Sequence, residues 1–143
     1  MKRTSLLAAV ALIVAGCSGS EESDRVLVDV DPSPGRTEIV LAVGDEARVD
    51  SVLRVGFMGV SQDSRCPITV VCPWAGDGAV TIAYSIGMGP SYPDTLHTML
   101  EPRNVEFGGY EITLLDLMPY PYTSDPIPPD EYAVRLRVER VQN

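Results

Sequence analysis

A long alternation of apolar and polar residues over positions 47–60 constrains this chain more than any other feature. Val49, Leu53, Val55 and Phe57 fall on one face, and Arg48, Asp50 and Arg54 fall on the other. A period of two over that length describes a strand with one face in a core and the other in water. Gly56 and Gly59 predict a bulge or bend near its end. The same alternation recurs at Val26, Val28 and Val30, at positions 38–43, at Val80, Ile82, Tyr84 and Ile86, and at Leu96, Thr98 and Leu100 within positions 95–101. It returns at positions 110–118 and 131–141, where Arg135, Arg137 and Glu139 take the solvent side. Twelve prolines and twelve glycines punctuate the runs, and no long stretch spaces its apolar residues as a helix does. These signals predict about seven strands and no helix. The expected fold is all-β, an immunoglobulin-like antiparallel β-sandwich, with a small β-barrel as the alternative. Residues 119–130 contain five prolines and are expected to cross between sheets, as in a Greek key.

The first residues carry an address rather than a strand. Lys2 and Arg3 precede a nine-residue apolar run at positions 6–14, too short to span a bilayer. Val14-Ala15-Gly16-Cys17 then reads as a lipobox, in which Cys17 receives lipid. Residues 1–17 are therefore expected to be a lipoprotein signal, 18–25 an acidic flexible tether, and 26–143 the β-sandwich domain. That address places the protein in a bacterial cell envelope, lipid-anchored and facing away from the cytoplasm. Ser18, rather than an aspartate, follows Cys17 and favours the outer membrane where the host has one.

Asp63-Ser64-Arg65-Cys66-Pro67 begins the one stretch that breaks the strand alternation. It continues through Cys72 and Trp74, the chain's only tryptophan, to Gly76 and Asp77. Five residues separate Cys66 from Cys72, too many for a Cys-x-x-Cys redox or zinc pattern. With Cys17 lipidated, these are the cysteines left to pair, and export implies an oxidising compartment. A bridge here closes a small loop worth about 2.4 kcal/mol by chain entropy. Its simplest role is a staple for that loop, and a loop presented to a partner or a redox or metal role stands beside it. Trp74 either packs on the disulfide, the simpler reading, or stands out as an anchor for a partner. Asp63 and Arg65 are read as a local ion pair or as ligand contacts, and exposed pairs of this kind are worth little.

The same stretch carries a resemblance. Asp-Ser-Arg-Cys-Pro, four residues, Cys, one residue and Trp-Ala-Gly resembles the signature of a widespread family of bacterial secreted proteins and lipoproteins. The likeness extends to a Tyr-x-Ile-x-Leu run at Tyr110, Ile112 and Leu114, and to a Tyr-x-Val-x-Leu-x-Val run at Tyr132, Val134, Leu136 and Val138. It implies export and covers most of the mature chain, and it brings no activity with it.

Charge narrows the partners. The chain carries 11 basic and 20 acidic residues, a net charge of -9. Loss of Lys2 and Arg3 with the signal makes the mature domain more acidic still, which argues against nucleic acid and a polybasic membrane contact. His97, the single histidine, alternates with Leu96 and Thr98 and is expected on the solvent face of a strand. Catalysis of the Ser-His-Asp or Cys-His kind would have to use it, and no nucleophile motif accompanies it. Met99 shares its expected face, which raises copper, but one histidine falls short of a blue-copper site. Asp125, Asp130 and Glu131 suggest calcium without forming a calcium-loop pattern. The reading is a binding or structural module at the membrane exterior, with no enzyme activity, cofactor or metal site. Its expected partners are the membrane through the N-terminal lipid, and an envelope protein or small ligand. An exported thiol-redox or copper-handling protein is the rival.

Overall fold

A computed structural model of the chain describes Leu27–Asp29 and residues 35–141. Cys17, the lipobox and the tether lie outside the described residues. Among the described residues, nine strands make two antiparallel sheets packed face to face, and no closed barrel forms. One sheet holds, in spatial order, β1 (Leu27–Asp29), β2 (Arg36–Ala42), β9 (Ala133–Arg140), β8 (Tyr110–Met118) and β7 (Asn104–Phe107). The other holds β3 (Glu46–Val49), β4 (Leu53–Asp63), β5 (Gly78–Ile86) and β6 (Tyr92–His97) in that order. Within each sheet most sequence neighbours pair directly, so the chain winds as meanders that change sheet after β2 and after β6.

The alternation read from sequence becomes the core. Val134, Leu136 and Val138 of β9 point inward against Phe57, Val80, Ile82 and Leu96 of the facing sheet. In β8 the pairing with β9 shifts between Leu114 and Asp116. That bulge resets the parity, so Ile112 and Leu114 face inward before it and Leu117 after it. A second bulge falls in β4 between Phe57 and Gly59, where the two glycines predicted a break, and it leaves Met58 exposed. Tyr84 and Tyr92 lie 4.8 and 5.4 Å from the Phe107 ring and close one flank between the sheets.

Four expectations are corrected. Positions 47–60 make two strands, because Asp50 and Ser51 take positive φ and turn the chain between β3 and β4. Strand β7 was not foreseen, since its four residues are too short to show a period. The strand expected at 95–101 is β6, ending at His97. The proline-rich segment does not cross between sheets: it joins β8 to its hydrogen-bonded neighbour β9. Prolines cannot extend a ladder, so the segment bulges off the end of the sheet as a long hairpin loop. Its last part, Pro129–Glu131, is a single 3-10 turn.

Candidate functional site

Strand β4 ends at Asp63, and β5 begins at Gly78. The segment between them is tied at its base by backbone hydrogen bonds from Ser64 to Asp77 and from Cys66 to Ala75. Gly76 permits that approach. It holds φ +72°, and a Cβ there would lie 1.8 Å from the Ser64 carbonyl oxygen. The Cys66–Cys72 disulfide is present, with the Cα atoms 6.0 Å apart. It joins two points of one loop, outside the core.

Beneath the loop lies the least expected feature. Arg65 is only 6% exposed. Its Nε and Nη2 donate to the two oxygens of Asp63 at 2.9 and 2.6 Å. Its remaining donors reach the carbonyls of Leu117 and Pro119, where β8 ends. Tyr132, just before β9, donates its hydroxyl to Asp63 at 2.9 Å. The Tyr120 ring lies 5.3 Å from the guanidinium. Burial pushes the Asp63 carboxyl up, but hydrogen bonds from Arg65 and Tyr132 and the Arg65 charge outweigh it and hold Asp63 below the usual carboxylate range. Burial, followed by the bond to Asp63, pushes Tyr132 up to about 12. Asp63 and Arg65 are therefore not the exposed pair expected. Strand β4 runs past Val60 to Asp63, which carries both residues under the loop, where Arg65 pins it to β8.

A second network closes the other flank. Asp77 accepts from the Met99 backbone N–H at 2.8 Å and from the Thr98 hydroxyl at 3.1 Å, and its Oδ2 lies 2.6 Å from His97 Nδ1. Burial raises this carboxyl too, and the His97 bond and its other donors bring it below its ordinary value. His97 is not the exposed strand residue expected: its side chain is 24% exposed and turned onto Asp77. Met99 does not share its strand face, because β6 has already ended. Among the described residues, no three His, Cys, Asp or Glu side chains gather as a metal ion would require.

Trp74 is 75% exposed. It does not plug the core, because the disulfide it follows never enters the space between the sheets. Around it stand exposed apolar residues that sequence reasoning missed. Trp74, Met99 and Leu100 line one open cleft of about 470 Å³. Met99 lines a second with Ala75 and Tyr120. The far side of the disulfide loop pairs with the proline-rich loop, Ile68 N–H donating to Pro121 and Thr69 to Tyr122. That contact sets Ile68 beside Pro121 and Thr69 beside Tyr122, and Ile68, Val71 and Tyr122 are all exposed. The signal that could have found them is apolar side chains inside segments already read as loops: Val70-Val71, Tyr120 and Tyr122. No family model, curated protein or solved structure matches the chain.

Proposed function

We propose that this protein is a lipid-anchored module displayed on the outside of a bacterial membrane, and that it works by contact through its disulfide-loop end. One observation carries the reading. Within the signature stretch, Asp63, Arg65, Cys66, Cys72 and Gly76 all hold the loop in place, whereas Trp74 faces water on the platform they build. An exposed tryptophan on a loop with little left to order is the profile of an interface anchor. The lipobox at Cys17 supplies the attachment. The likeness to secreted proteins and lipoproteins with this signature agrees with that address.

Two measurements test the reading. The mass of the N-terminal peptide is expected to show lipid on Cys17, and an unmodified Cys17 overturns the anchor. For the contact, a photoreactive amino acid replaces Trp74 in one version of the chain and Met88, fully exposed at the opposite end, in another. Irradiated in cells, the first is expected to cross-link and the second to stay free. Equal labelling at the two positions, or none at Trp74, removes the disulfide-loop end as the contact surface.

A further inference from the structure

We infer that the disulfide-loop end seats on the lipid bilayer that holds the anchor, with Trp74 and Val71 at the membrane–water interface. This rests on the lipid-anchored reading above and names the partner of the same surface. The argument is where the chain comes in. Leu27 pairs with Val40, near the end of β2. Ala42 at that end pairs with Ala133, and Ala133 pairs with Met118. Met118 leads directly into the loop that pairs with the disulfide loop. The chain from Cys17 therefore joins the sandwich at the end that displays Trp74.

Nine residues, 18–26, lie between Cys17 and β1. Fully extended they reach about 30 Å. From the Leu27 side they need only bridge the width of the sheet, roughly 10–15 Å at the usual strand spacing. To present the opposite end to the membrane, the same residues would have to run back along the strands. From the level of Arg135 to that of Arg140 this is roughly 17 Å, before the turns beyond are cleared. Nine residues can cover either distance, and the direct path without doubling back brings the disulfide-loop end nearest the anchor.

The surface at that end suits a bilayer interface. Val71 is 98% exposed and, with Trp74, Met99, Leu100 and Tyr122, offers apolar contact from three separate loops. Tryptophan and tyrosine place an apolar ring and a polar tip where headgroups meet acyl chains. The charges lining the two clefts are answered within the protein: Asp77 by His97, Arg65 by Asp63, and Asp116 by Arg135 at 3.9 Å. Seating the clefts buries no unpaired charge among these, and Glu101, Asp125, Asp130 and Glu131, exposed on the same loops and in no ion pair among the described residues, have to stay in water at the edge of the contact.

The single tryptophan makes the test clean. The full lipidated chain is reconstituted into vesicles of phosphatidylethanolamine and phosphatidylglycerol, with or without bromine on the acyl chains. Bromolipid is expected to quench Trp74 by about twofold or more, and iodide in the buffer to quench it weakly. Val71→Asp should abolish most of the bromolipid quenching, while Met88→Asp leaves it unchanged. If the chain floats with the vesicles yet iodide quenches Trp74 freely and bromolipid does not, the anchor stands and this inference falls. Shielding of Trp74 that appears only when envelope proteins are added also overturns it, in favour of a protein partner. A chain that does not float with the vesicles defeats the anchor and the seating together.

Discussion

At one end of the sandwich, a buried arginine holds up a loop covered with apolar side chains. At the other, charges lie on the surface and the turns are short. Arg65 sits inside the protein with Asp63, Tyr132 and two carbonyls for company, and the residues above it, Trp74 and Val71, face water. Opposite, Arg140 pairs with Asp50 at 2.8 Å in the open, and Arg36 pairs with Glu139 on a half-exposed face. There, Asp50 and Ser51 link β3 to β4, and Gly108 and Gly109 link β7 to β8. Turns that tight are set by backbone conformation and need nothing beneath them. The disulfide loop and the proline-rich loop are too long for that. Each would be loose alone, so they brace each other, and Arg65 nails both to the end of β8. The apolar side chains of the first end sit together on a braced platform, which is why we propose it as the contact surface; at the other end Met88 stands exposed on a turn with no such platform beneath it.

The comparison breaks most sharply at Arg65. Arg65→Ala leaves the Asp63 carboxylate without its cation and the Leu117 and Pro119 carbonyls without their donor under the loop, and destabilisation of about 3–5 kcal/mol is expected in denaturant melts. A change under 1 kcal/mol would mean that the network is ornamental and that the two ends are held alike. Next comes the staple. Cys66→Ser with Cys72→Ser is expected to lower stability by about 2.4 kcal/mol, read from the same melts. It should also raise proteolysis within the loop more than at the β7–β8 turn.

Acid sharpens the contrast by sign. Asp63 and Asp77 both have carboxyls held below their ordinary value of 3.8. A depressed carboxyl contributes stability that is complete above the unfolded value and is lost as pH falls through the folded one. The disulfide-loop end should therefore loosen first on acidification below about pH 4. Amide exchange along residues 64–77 should rise before exchange in β9 does. Tyr132 works in the opposite direction: raised to about 12, it keeps its contribution below about pH 10 and loses it as the phenol ionises. The smallest effects concern what faces water. Trp74→Ala is expected to leave stability within about 0.5 kcal/mol. Arg140→Ala, at the other end, should leave the melting midpoint in place. A large loss from Trp74→Ala would show that the indole supports the loop rather than being displayed by it.

The strand content of this chain was legible because the strands obey a period that side-chain burial imposes. Val134, Leu136 and Val138 could be assigned to a core before any partner was known, since neighbouring side chains on a strand must face opposite ways. The glycines at 56 and 59 marked the bulge in β4 for an equally local reason. Cys66 and Cys72 could be paired because few other arrangements were open to them. Strand β7 escaped because four residues show no period, and the turn at Asp50 and Ser51 escaped because Val49, Leu53, Val55 and Phe57 keep one parity across it, so the alternation reads through.

What the tertiary structure alone decided is the fate of residues whose partners lie far along the chain. Arg65 looked like a surface charge, and it is buried because carbonyls 52 and 54 positions away come to meet it. His97 looked exposed, and it is turned inward by Asp77, 20 positions back. Trp74 looked like a core residue, and it is outside because the sheets had already filled the space between them with Phe57, Leu117 and Leu136. Burial of an alternating strand is a local pattern and can be read along the chain. Desolvation of a charge, or display of an indole, is settled by which loops meet at the end of the sheets, and that depends on contacts between distant segments.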